Sequence, residues 1–337
     1  MTPCRWQPRR LLWIWLLFAL LALIGPNAAA AQPVLLVQDD LADMGPGEVT
    51  GRDWTTTPRA DLQRLFCATR PDATPRLALA SQRLTRRQRD ACVAGKDGKL
   101  IELLIGRRAL IAMTSGTSFG LTPDILYRAL VRDIPGPGGK PVANRAMRWR
   151  ELDASLPDAP IRVLLPPTGS IENRIVSEII LYEGCAAKAA VPLPADPIKR
   201  LAVCTTLRSD STVTRGTDKQ TVSAWLHKQG AAAVALIGVA VLLAEPDLQT
   251  ALPLDGVTPS FATIADGRYR AVLPVYLLTV ISPATVRTVA GIAGPLLTEA
   301  TIGPLGKLPR RGLAPLSAAD RVNLRLKLGR EFEDATE

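Results

Sequence analysis

The segment from Ile161 to Cys185 constrains the fold of this chain more than any other. It reads as a short apolar strand, Ile161–Leu165, then a turn, Pro166-Pro-Thr-Gly-Ser170, and then an amphipathic helix that begins near Glu172. Ile175, Val176, Ile179 and Ile180 recur at helical spacing, so one face of that helix lies on a core. A strand that runs through a tight turn into a helix N-terminus is how α/β proteins build anion sites, because unpaired N–H groups and the helix dipole converge there. Glu172 puts a carboxylate at that spot, so the turn either takes an external anion or supplies its own.

The rest of the chain repeats this alternation. Leu100–Ile105 and Ala109–Met113 are near-continuous apolar runs that suit buried strands, as do Val234–Ile237 and Ala271–Val280. Thr85 and Gln88 have capping-box spacing and open a helix whose arginines, Arg83, Arg86, Arg87 and Arg89, form a solvated face. Thr122-Pro123 starts another helix, and further helices are expected around Pro283–Leu297 and after Ser317. The glycine-rich run Pro135–Gly139 is flanked by prolines and reads as a surface loop rather than a phosphate cradle. Alternating strands and helices imply an α/β fold with mainly parallel sheets.

Residues 1–31 are expected to be a cleaved signal peptide: Arg9-Arg10, an apolar run from Leu11 to Ile24 and the small residues Ala28–Ala31. The apolar run is shorter than the roughly 20 residues of a spanning helix. Of the formal charge of +10, three positive charges (Arg5, Arg9, Arg10) lie in that segment, and 10 − 3 leaves +7. In an exported protein, expected in the periplasm, this excess does not point to nucleic acid. Cys4 leaves with the leader, so four cysteines remain in an oxidising compartment, where three pairings are possible. Proximity favours Cys67 with Cys92 and Cys185 with Cys204.

Chemistry-bearing motifs are sparse. His227 is the sole histidine and stands near a helix end; no HExxH, Walker loop or GxGxxG is present. An enzyme is therefore not expected, and neither a cofactor nor a metal site is implied. Ser115-Gly116-Thr117 reads as a plain connection before the Thr122 cap.

Several ordered segments between Phe66 and Asp320 resemble the periplasmic phosphate-binding protein of the phosphate ABC importer. They are Phe119–Leu130 with its Leu121-Thr122 pair, Trp149–Pro157 with the strand after it, Asp255–Tyr269 followed by Pro274-Val-Tyr276, and Gly312–Leu316. The resemblance implies a two-lobed type II periplasmic-binding-protein fold with an interlobe cleft, residues 32–113 and 275–337 in one lobe and 114–274 in the other. It implies an exported solute-binding protein that takes phosphate or another small anion for the importer's permease, with the membrane reached only through that partner. Ligand donors carried over are Ser81, Thr168, Gly169, Ser170 and the position of Glu172.

The correspondence breaks at the ligand. The family's Ser-Gly-Thr-Arg falls on Ser170-Ile171-Glu172-Asn173, its first Gly-Ser-Ser-Thr turn has no counterpart between Gln32 and Cys67, and the Ser-Arg of its returning strand falls on Val272-Leu273. A carboxylate about 4 Å from a phosphate oxygen costs roughly 4 kcal/mol at an effective dielectric near 20, or about a thousandfold in affinity. These departures raise a second expectation, a diverged binding or regulatory module that has lost phosphate.

Overall fold

A computed structural model describes residues 32–68, 74–93, 98–136, 141–187, 196, 201–202, 204–216, 221–245 and 250–335. The strands are β1 (Val34–Gln38), β2 (Thr55–Thr57), β3 (Arg76–Ala80), β4 (Lys99–Thr114), β5 (Asp133–Pro135), β6 (Pro141–Ala143), β7 (Val163–Leu165), β8 (Val213–Arg215), β9 (Val234–Gly238), β10 (Thr250–Ala251), β11 (Val272–Ile281) and β12 (Ala314–Pro315). One sheet runs β2-β1-β3-β11-β4-β9-β7-β8, with β10 and β12 also on β4, while β5 and β6 pair apart.

The two apolar runs expected as separate strands are one strand, β4. Nothing in Gly106-Arg-Arg108 supplies a turn, and the backbone continues through it, pairing with β11 from Lys99 to Ala109 and with β9 from Leu110 to Met113. The expectation of mainly parallel sheets needs correction for the same reason. The βαβ-type pairs β1–β2, β1–β3, β7–β8 and β7–β9 are parallel, but the long strands β4 and β11 run antiparallel to their neighbours through the middle.

The first half of the sheet, β2-β1-β3-β11 with the start of β4, carries a core on each face. Leu35 and Val37 face one side of β1 with Leu41, Leu77, Leu103, Val289 and Ile292, and Leu36 faces the other with Phe66, Ala78, Cys92 and Leu278. The second half is built around β4, β7 and β9, with Tyr127, Trp149 and Tyr269 fully buried. The indole N–H of Trp149 donates to the Ala232 carbonyl at 2.9 Å, which satisfies its polar edge.

Local signals hold where their partners are close in sequence. Thr85 and Gln88 bond reciprocally (2.8 and 3.3 Å) at the head of helix Arg86–Val93, and Thr122 Oγ1 accepts from Ile125 N at 3.1 Å at the head of Pro123–Leu130. Arg83, Arg86 and Arg87 are exposed, and Arg89 pairs with Glu102. Both expected disulfides, Cys67–Cys92 and Cys185–Cys204, are formed. The expected leader lies outside the described residues, as do residues 137–139 of the glycine-rich run. Among the described residues, no helix is long and apolar enough to cross a membrane and no group of residues could hold a metal ion.

Candidate functional site: a turn with its own anion

Strand β7 ends at Leu165 and the chain turns through two prolines, which bring no N–H donors to the turn. Gly169 takes φ +88, and Ser170 caps the helix that follows: its Oγ accepts from Asn173 N at 3.1 Å and donates to the Pro167 carbonyl at 2.9 Å. The helix is α over Ile171–Ile175, π over Val176–Leu181 and α again over Tyr182–Ala187. Thr168 is exposed at the tip of the turn. Asn173 Oδ1 accepts from Arg215 at the end of β8 at 2.8 Å.

Glu172 turns inward. It is buried, and its Oε1 accepts from Arg108 Nε at 3.0 Å and Nη2 at 2.7 Å. Arg108, on β4 beside the point where that strand passes from β11 to β9, is itself 2% exposed. Its Nη1 and Nη2 also donate to Asp43 (3.2 and 2.8 Å), and Nη1 donates to the Arg311 carbonyl at 2.9 Å. All five N–H donors of the guanidinium are thereby used within the protein. Burial alone would lower the Arg108 pKa, but the charges of Glu172 and Asp43 outweigh it and hold the pKa above its ordinary value.

Gly238 gives the carboxylate its room. A Cβ there would stand 2.6 Å from Glu172 Oε1 and 2.9 Å from Cδ, while its φ of −90° is open to any residue, so the requirement is space and not backbone conformation. Gly238→Ala is expected to push the carboxylate off Arg108 and cost about 1–3 kcal/mol, read from the urea midpoint. A cost no larger than that of an ordinary surface change would contradict this packing.

Two further contacts tie the helix to the first half. Ile171 is fully buried in the core that holds Leu35, Val37 and Leu41. Arg174 pairs with Asp40 at 3.1 Å, where burial raises the Asp40 pKa against the opposing pull of Arg174, and burial lowers that of Arg174. Asp40 Oδ1 also accepts from Gln38 Nε2 at 2.7 Å, and the same Nε2 donates to Ser81 Oγ at 2.7 Å. Ser81 therefore belongs to a network behind the turn and does not line the cavity beside it.

That cavity has a volume of about 480 Å³ and opens at the C-terminal ends of β7 and β9. Of the residues expected to bind ligand, Ser170 and Glu172 reach it. Arg108, Asp43 and Asp40 were not anticipated from sequence. The available signal was Arg107-Arg108 interrupting an apolar strand, where alternation leaves one of two adjacent cations facing the interior. His227 is exposed in the last turn of helix Val222–Gln229. Ser115–Thr117 is a connection, with Gly116 packed against Ala231.

No family model matches the chain. No curated protein matches it either. Solved structures do. A possible phosphate binding protein from Planctomyces limnophilus superposes with a TM-score of 0.60 at 16% identity, over 89% of this chain and 99% of that one. PstS from Borrelia burgdorferi gives 0.55 at 12% identity, over 85% and 100%. A high affinity periplasmic phosphate-binding protein, bound with phosphate, gives 0.50 at 12% identity, over 87% and 93%. The chain has the two-lobed α/β fold of the phosphate-binding proteins.

Proposed function

We propose that this chain is an exported solute-binding module that keeps the phosphate-binding fold and does not hold phosphate at the Pro166–Asn173 turn. The observation that carries the reading is the complete use of Arg108 by Glu172, Asp43 and the Arg311 carbonyl, which leaves that guanidinium no donor for an external oxyanion. The Glu172 carboxylate also repels a second anion beside it. Solute capture is supported by the fold and by the cavity between residues of both halves. Export to the periplasm is supported by the leader-like first 31 residues and by two disulfides. Service to an importer permease, with lobes 32–113 plus 275–337 and 114–274, would follow from the fold resemblance, and nothing in the turn chemistry requires that the cargo be phosphate.

Glu172→Thr tests this reading by removing the internal anion. Phosphate affinity measured by calorimetry should rise relative to the unaltered chain, by up to about a thousandfold, as two Arg108 donors are released and the repulsion disappears. Equal affinities in the two proteins would show that Glu172 is not what closes the turn to phosphate.

A further inference from the structure

The cavity beside the turn has a chemistry of its own. Its walls are largely apolar, with Leu164, Leu236, Ile237 and Val241 among them, and its charged lining is three carboxylates, Asp43, Glu172 and Glu245, against the single guanidinium of Arg108. Glu245 is occupied, each carboxylate oxygen accepting a backbone N–H at the head of helix Val222–Gln229 (2.9 and 2.8 Å). Arg108 has no donor left. Glu172 is different: it is 6% exposed, both of its Arg108 contacts fall on Oε1, and Oε2 accepts no hydrogen bond among the described residues.

A carboxylate oxygen with a free acceptor position, on a buried side chain that lines an apolar chamber carrying excess negative charge, is complementary to a donor that bears positive charge. Resting on the reading above, that this turn does not take phosphate, we propose that the cavity binds a small organic cation: an apolar body of cyclohexyl or phenyl size with a primary or secondary ammonium group that donates to Glu172 Oε2. The apolar walls take the body, in a volume within the ordinary range of ligand sites of about 300–1,000 Å³. Organic carboxylates and phosphates are excluded by the same three carboxylates.

The test is a thermal-shift and calorimetric series on the full chain with cyclohexylamine, cyclohexanol, cyclohexanecarboxylate and inorganic phosphate near neutral pH. Cyclohexylammonium should raise the melting temperature and bind about tenfold or more tightly than cyclohexanol, with no shift from the carboxylate. Glu172→Gln should bring the amine down to the alcohol. Ala240→Trp fills the chamber from a residue outside the ion pair and should abolish the shift even if Glu172→Gln folds poorly. No shift with the amine, or equal binding of amine and carboxylate, overturns the proposal and leaves the loss of phosphate standing. Tight phosphate binding would instead overturn the reading on which it rests.

Discussion

Arg108→Leu is expected to destabilise the protein by about 3–5 kcal/mol, measured as ΔG of unfolding in urea. The size follows from what the substitution strands and not from the worth of the ion pair. Glu172 is buried and would lose both of its hydrogen bonds from Arg108, while the Arg311 carbonyl would lose a donor. Replacing both partners, Arg108→Leu with Glu172→Leu, should recover much of the loss, because a matched apolar pair carries no desolvation penalty. Since Arg108 is 2% exposed, added salt should change the wild-type contribution little. A single-variant loss below about 1 kcal/mol, the range of exposed pairs, would mean that Glu172 reaches water and is not a buried internal anion.

Ile171→Ala is the second large effect, about 2–5 kcal/mol. The isoleucine fills space among Leu35, Val37 and Leu41 of the opposite half. Truncation leaves a cavity between the halves as well as losing buried apolar area. Leu243→Ala, at a residue 47% exposed on the helix beside the cavity, is the control and should stay within about 0.5 kcal/mol. Equal small effects at both positions would show that the helix start is not seated in the first half.

How much of this was legible in the sequence depended on chain distance. The Thr85–Gln88 cap, the Thr122 helix start and the disulfides joining Cys67 to Cys92 and Cys185 to Cys204 all have partners close by, so spacing alone located them. Strand continuity was less legible, because the two arginines after Gly106 look like a break until β11 is seen to pair straight across them. Least legible was the destination of Glu172. Its anomaly was plain from the residues it replaces, but its partner lies 64 positions away, and Arg108 reaches Asp43 across another 65. No periodicity encodes such a contact; it is fixed by the crossing of β4 through the centre of the sheet. The carboxylate at the helix start could be read, whereas its ion pair with Arg108 could be seen only in three dimensions.

Whether Glu172, Asp43 and the Arg311 carbonyl take up Arg108 and leave no place for phosphate is read by titrating phosphate into the unaltered chain and following heat and melting temperature. No saturable heat and no rise in melting temperature are expected at about 1 mM phosphate near neutral pH, since a ligand that does not bind the folded state cannot stabilise it. Saturable binding with a submicromolar dissociation constant would contradict it.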